Sequence, residues 1–265
     1  MKGENNLAFL FLVVVLMAGL FFLYSVSAVE PNGANIGTPI RSERASSGSP
    51  GNNSAEAGNI TEITISGFST TSAWQGYIGN VSGTIRLADA SGDVLYNWSL
   101  ASPSGEIYAS RNQTIQWTNI QCFNFTATGT LAGGETPGGT SLYGLNLTTL
   151  ESSYGIEAGD VDGVNETFSD ANSHAAFFSA NREFSAGECV STDLFDSSGA
   201  AVDGNFEEVL LYEPTTTSVI FASLLEKDLA GFDSNSYDFQ MLVLEDGHNS
   251  QALTSTLYYF FVELE

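Results

Sequence analysis

Tyr237-Asp238-Phe239-Gln240-Met241-Leu242-Val243-Leu244 sets Tyr237, Phe239, Met241 and Val243 on one face of an extended chain. Alternation of this kind predicts a strand with a buried side. Downstream, past Glu245-Asp246-Gly247, the chain reaches Thr256-Leu257-Tyr258-Tyr259-Phe260-Phe261-Val262. That stretch is apolar on both faces, so it should be covered on both sides or sit between partners. Upstream, Val219 to Leu225 reads as another strand. Further back, Ile63 and Ile65 alternate with Thr64, and Val81, Gly83, Ile85 and Leu87 alternate with polar residues. After a turn at Asp89-Ala90-Ser91-Gly92-Asp93, Val94, Tyr96, Trp98 and Leu100 do the same. This predicts a hairpin with one buried face. No convincing amphipathic helix follows residue 30. The expected fold class is all-β, a β-sandwich exterior preceded by one N-terminal hydrophobic helix.

That helix is Leu7 to Ala28 (LAFLFLVVVLMAGLFFLYSVSA), 22 residues without a charge. At about 1.5 Å per residue it spans about 33 Å, the thickness of a bilayer core. Three readings stay open. Its length suits an uncleaved membrane anchor. Val26-Ser27-Ala28 suits a cleaved signal peptide. Lys2-Gly3-Glu4 resembles the processing site of archaeal pilins. The charge bias for a cytoplasmic N-terminus is thin, because Glu4 offsets Lys2.

The expected domains are 1–28, signal peptide or transmembrane anchor; 29–58, a flexible Ser/Gly/Pro linker; and 59–265, an extracellular β-sandwich region with a possible division near 150. The linker holds Pro31, Pro39 and Pro50 and five glycines. If flexible, it averages roughly 30 Å end to end.

The 265 residues carry a formal net charge of −24. Such a surface repels nucleic acid and anionic lipid, which excludes nucleic-acid binding. The acids are uneven: nine face five basic residues before Glu151, and 22 face only Arg182 and Lys227 from Glu151 onward. Cation binding, life in high salt, or a surface kept soluble by charge would each account for this.

Asn-x-Ser/Thr sequons begin at Asn52, Asn59, Asn80, Asn97, Asn112, Asn124, Asn146 and Asn165. Between Asn52 and Asn146, seven of nine asparagines begin one, a density that predicts a glycosylated surface. Asn97 falls on the polar side of its strand. Cys122 and Cys189 are the only cysteines, and one disulfide is the natural reading in an exported chain. Asn124 complicates this. In a regular strand it shares a face with Cys122, so a glycan on Asn124 and a deeply buried Cys122 conflict. The disulfide lies on an outer face, a bulge intervenes, or Asn124 is unmodified.

Catalytic chemistry is sparse. His174 and His248 are the only histidines, and both read as surface residues rather than bases. Gly-x-Ser-x-Gly and His-Glu-x-x-His are absent. Glu207-Glu208 should point to opposite faces of a strand, which suits no two-carboxylate mechanism. Ala132 to Thr140 is Gly-rich but lacks a phosphate-loop lysine. Asp160-Val161-Asp162-Gly163-Val164-Asn165-Glu166 resembles a calcium loop, yet its first EF-hand ligand would be Ala158, so it is no EF-hand. It could be an acidic turn or a looser calcium site. No catalytic, cofactor or metal residue is assigned.

The ending resembles the last two strands of immunoglobulin- or cadherin-like sandwiches. Asp233 followed by Tyr237 looks like a tyrosine corner, which implies a hydroxyl bonded to upstream backbone. Trp74 to Gly83, Val94 to Trp98, and Gly231-Phe232-Asp233 with Tyr237-Asp238-Phe239 are together similar to exported archaeal proteins. These have one N-terminal hydrophobic segment and an all-β exterior. The resemblance implies topology and location, not chemistry. The expected role is structural or adhesive at the cell surface, with contact to membrane through the N-terminal helix and possible self-association. An extracellular ligand- or calcium-binding module is the alternative. A filament subunit or secreted hydrolase stands behind both.

Overall fold

The computed structural model describes residues 30–46, 48–100, 104–125, 146–171, 173–247 and 255–264. Leu7 to Ala28, the Gly-rich stretch 132–140 and His248 lie outside them. In chain order the strands begin with β1 (Asn32–Gly33), β2 (Trp74–Gly79), β3 (Thr84–Ala88), β4 (Val94–Ser99), β5 (Gly105–Ser110) and β6 (Gln121–Cys122). There follow β7 (Asp170–Ala171), β8 (Phe177–Ser179), β9 (Arg182–Phe184), β10 (Val190–Asp193) and β11 (Glu207–Glu213). The last are β12 (Ser218–Leu224), β13 (Leu229–Ala230), β14 (Ser236–Tyr237), β15 (Phe239–Leu244) and β16 (Tyr259–Leu264). Two short helices interrupt them, α1 (Leu147–Ser153) and α2 (Val164–Thr167). The described chain is therefore all-β, and its strands pair antiparallel. Among the described residues no helix is long and apolar enough to cross a membrane.

The main sheet runs β1-β16-β5-β12-β11-β10-β7, with β6 also paired to β11. β10 takes Glu207 to Val209 of β11, and β6 takes Leu211 and Tyr212. Strands from both sides of residue 150 join this one sheet, so the two halves share a core.

Both faces of the sheet are apolar, because β5, β11, β12 and β16 carry large residues at odd and even positions alike. One face presents Ile107, Ala109, Leu210, Tyr212 and Phe221. The two-stranded β2–β15 ribbon covers it with Trp74, Met241 and Val243, and the helices add Leu150, Val164 and Phe168. The other face presents Tyr108, Val209, Leu211, Ile220 and Ala222 under Trp117, the β8–β9 hairpin and the Cys122–Cys189 disulfide. The expectation for the last strand holds: Phe260 and Val262 pack on the first cluster and Phe261 belongs to the second.

Five expectations need correction. Ile63 and Ile65 belong to no strand and are exposed. The single strand 237–244 is broken at Asp238, so Ser236–Tyr237 pairs with β13 while Phe239–Leu244 pairs with β2. At the break the Asp238 carboxylate accepts from Val81 N (2.7 Å) and Asp228 N (3.1 Å). Tyr237 is not a tyrosine corner: its hydroxyl donates to the Asp233 carboxylate (2.9 Å), not to backbone, and accepts from Arg41 (2.9 Å).

The stretch 29–58 is not wholly a free linker, since Asn32 and Gly33 pair with Val262 and Phe261 and Arg41 reaches Asp233. The β3–β4 hairpin has the expected turn, with Asp89 Oδ1 accepting from Ser91 N and Asp93 N. Its apolar face is not buried, however. β3 and β4 pair only with each other, and every residue in them is exposed.

Candidate cation site

β10 and β11 place Asp193 directly opposite Glu207, on the disulfide side of the sheet. The turn that leads into β11 carries Asp203. One carboxylate oxygen from each of the three residues lies within 4.8 Å of the others. Asp193 is 9% exposed and Glu207 2%, whereas Asp203 is at the surface. Glu207 Oε2 accepts from Ala175 N at 2.9 Å. Its Oε1 and Asp193 Oδ1 are buried without a hydrogen-bond partner among the described residues.

Asp170 of β7, opposite Ser191, adds a fourth negative charge nearby. Burial first, then repulsion from Asp170, Glu207 and Asp203, pushes the Asp193 carboxyl up to about 7. Burial likewise raises Glu207. Among the described residues, no Lys or Arg forms an ion pair with these acids; the ion pairs are Arg41 with Glu43 and Asp233, and Arg182 with Glu188. The arrangement offers hard oxygen ligands with no built-in counter-charge. Chemically it can hold a cation.

Sequence reasoning missed this trio. Glu207 was noticed only as half of Glu207-Glu208, whose side chains do take opposite faces: Glu208 Oε2 accepts from Leu242 N on the far side (2.7 Å). Residues 193, 203 and 207 have no motif spacing. The register of β10 on β11 brings them together.

In the acidic stretch Asp160 to Glu166 the side chains hold the chain itself. Asp160 Oδ2 accepts from Glu157 N (2.8 Å) and Asp162 Oδ2 from Thr71 Oγ1 (2.6 Å). Gly163 begins α2 without a side-chain cap of its own. Glu151 Oε1 supplies one instead, accepting from Val164 N (3.0 Å) and Asn165 N (3.4 Å). A Cβ on Gly163 would stand 2.5 Å from Glu166 Oε2, 3.1 Å from Asp160 O and 3.3 Å from that Oε1, so the position is crowded by all three.

Cys122 and Cys189 are bonded, with Cα atoms 5.3 Å apart. Both are buried, and Asn124 is buried as well at 5% exposure, which leaves no room for a glycan there. Asn52, Asn59, Asn80, Asn97 and Asn165 are exposed. Asn112 and Asn146 are half-buried; Asn146 caps α1 through Oδ1, an acceptor that glycosylation of the nitrogen would leave in place.

His174 is fully buried, a correction to its reading as a surface residue. Its Nε2 accepts from Cys189 N (2.9 Å) while Nδ1 faces Ala175 O (2.7 Å), so the ring sits as the neutral Nδ1–H tautomer. It satisfies backbone beside the disulfide.

The tryptophans do not converge on one pocket. Trp74 and Trp117 are core residues, and Trp98 lies exposed against Tyr96, ring centroids 4.9 Å apart. A cleft of about 400 Å³ does open beside Asp193, lined by Tyr77, Phe195, Phe232 and Leu242 among others. No protein-family profile, no curated protein and no solved structure matches this chain.

Proposed function

We propose that this chain is an exported, glycosylated cell-surface protein held at the membrane by Leu7 to Ala28, with a structural or adhesive role in an envelope layer. It is a self-associating module rather than an enzyme. One observation carries this: the β3–β4 hairpin stands alone with its apolar face uncovered. The register pairs Ile85 with Trp98 and Leu87 with Tyr96 on that face, each about half exposed. Arg86 and the sequon Asn97 pair on the opposite face, so a glycan there would leave the apolar side free. Aromatic and aliphatic side chains gathered on one exposed face mark contact surfaces. Among the described residues no strand pairs with either outer edge of the hairpin, which leaves both for strand addition. The β2–β15 ribbon over the main sheet supports a sandwich of immunoglobulin- or cadherin-like type.

The test is light scattering on full-length protein across a concentration series, wild type against Tyr96→Ser/Trp98→Ser. Both side chains are exposed, so the fold should tolerate the change. The wild type should assemble as concentration rises and the double variant should stay monomeric. A wild type that remains monomeric throughout refutes self-association.

A second reading, an extracellular ligand-binding module, is favoured by the cleft at Asp193, where Phe195 and Phe232 are 57% and 54% exposed.

A further inference from the structure

We propose that Asp193, Asp203 and Glu207 form a calcium site. It lies apart from the hairpin and does not depend on the role proposed for it. The argument is geometric. Sheet register fixes Asp193 and Glu207 opposite one another at the start of β11, and the turn before β11 brings Asp203 over them. Three acids in one place are common on so acidic a chain and mean little alone. Here two of them are more than nine-tenths buried, and each keeps a buried oxygen with no hydrogen-bond partner among the described residues. A buried carboxylate oxygen left unpaired is costly, and a bound cation removes that cost.

Ligand chemistry selects the ion. All three donors are carboxylate oxygens, without a thiolate or imidazole among them, which suits a hard cation. Calcium binds oxygen at about 2.3–2.6 Å, so oxygens on opposite sides of it stand about 4.6–5.2 Å apart. A trio whose oxygens all lie within 4.8 Å of one another is on the scale of such a shell. Magnesium, with ligands at about 2.0–2.1 Å, requires a tighter octahedral shell. Three carboxylates do not complete a calcium shell of six to eight oxygens, and the exposed side of Asp203 leaves room for water to supply the rest. Bound calcium would tie β10, β11 and the turn between them.

The experiment strips full-length protein with a chelator, then measures calorimetric titration with calcium chloride and the melting temperature in calcium, magnesium and sodium chlorides at matched ionic strength. Calcium in hundredfold excess over its Kd should raise Tm by about 5 °C or more, beyond the effect of sodium. Asp203→Asn should weaken calcium binding at least tenfold. Asp203 lies at the surface, so that variant should fold. Asp160→Asn/Asp162→Asn should keep the full calcium response. No binding heat at millimolar calcium overturns the site, as does a Tm rise that sodium reproduces. A calcium response that survives Asp203→Asn, or is lost in Asp160→Asn/Asp162→Asn, overturns the assignment to these residues.

Discussion

Glu151 caps a helix that its own sequence neighbourhood does not point to. Asp160-Val161-Asp162-Gly163 looks like a cation loop, but beside its crowded glycine a carboxylate from the preceding helix caps α2. Nothing in the local spacing announces Glu151, twelve residues upstream of Gly163. Glu151→Ala should destabilise the fold by about 1 kcal/mol through loss of that cap, measured by urea denaturation. Glu151→Gln keeps the acceptor and should cost less.

The pH dependence has a definite sign. Burial raises the Glu151 carboxyl above its usual 4.5, despite the amide N–H donors that favour the charged form. The unfolded chain therefore loses this proton first as pH rises. The stabilising share is complete below about 4.5 and is lost as pH climbs through the raised folded value. Glu151→Gln should flatten stability over that window. An unchanged pH profile in Glu151→Gln would contradict the assignment.

At the scale of elements, alternation located some strands and misplaced others: Ile63 to Ile65 forms no strand, and the central β5 and β11 show no alternation because both their faces are covered. The β3–β4 hairpin has the expected partners and the expected turn, yet its apolar face is bare. Periodicity reports which residues share a side and says nothing of whether another layer covers that side. The strand 237–244 fails for the opposite reason: its pattern is unbroken, but its partner changes at Asp238, whose carboxylate meanwhile accepts from two backbone amides. β16 was legible because residues apolar on both faces admit only a covered position. Phe221 of β12 sits in the layer between sheet and ribbon, where it meets Trp74 edge-on and Tyr258. Phe221→Ala should cost about 3–5 kcal/mol in denaturant unfolding. A loss below about 1 kcal/mol would mean that the ribbon does not press on this face.

For the whole molecule, composition was the better guide. The disulfide was readable from an even cysteine count, and it joins β6 to the segment leading into β10 across 67 residues of sequence. In the chain-entropy account such a closure contributes about 4 kcal/mol. The acid trio was not readable, because it exists only once β10 lies against β11. A net charge of −24 has its own consequence: self-repulsion weakens the compact state and salt screens it. Sodium chloride should therefore raise Tm progressively, as followed by differential scanning calorimetry. A Tm insensitive to salt would show the surface charges too widely spaced to matter.

The pairing of β1 with β16 bears on how the molecule meets a pull. In a chain held in the bilayer by Leu7 to Ala28, only Val29 to Pro31 separate the anchor from Asn32, about 10 Å at full stretch. The body then rides against the lipid instead of on a stalk. The clasp is small, with two paired residues, one further bond from Ala34 N to Phe260 O, and the Arg41 contact with Asp233 and Tyr237. Tension between anchor and body loads that clasp first. When it slips, the slack up to Gly58 pays out while the sheet behind it stays closed. With such an anchor the segment would act as a fuse, retracted at rest and several times longer under force.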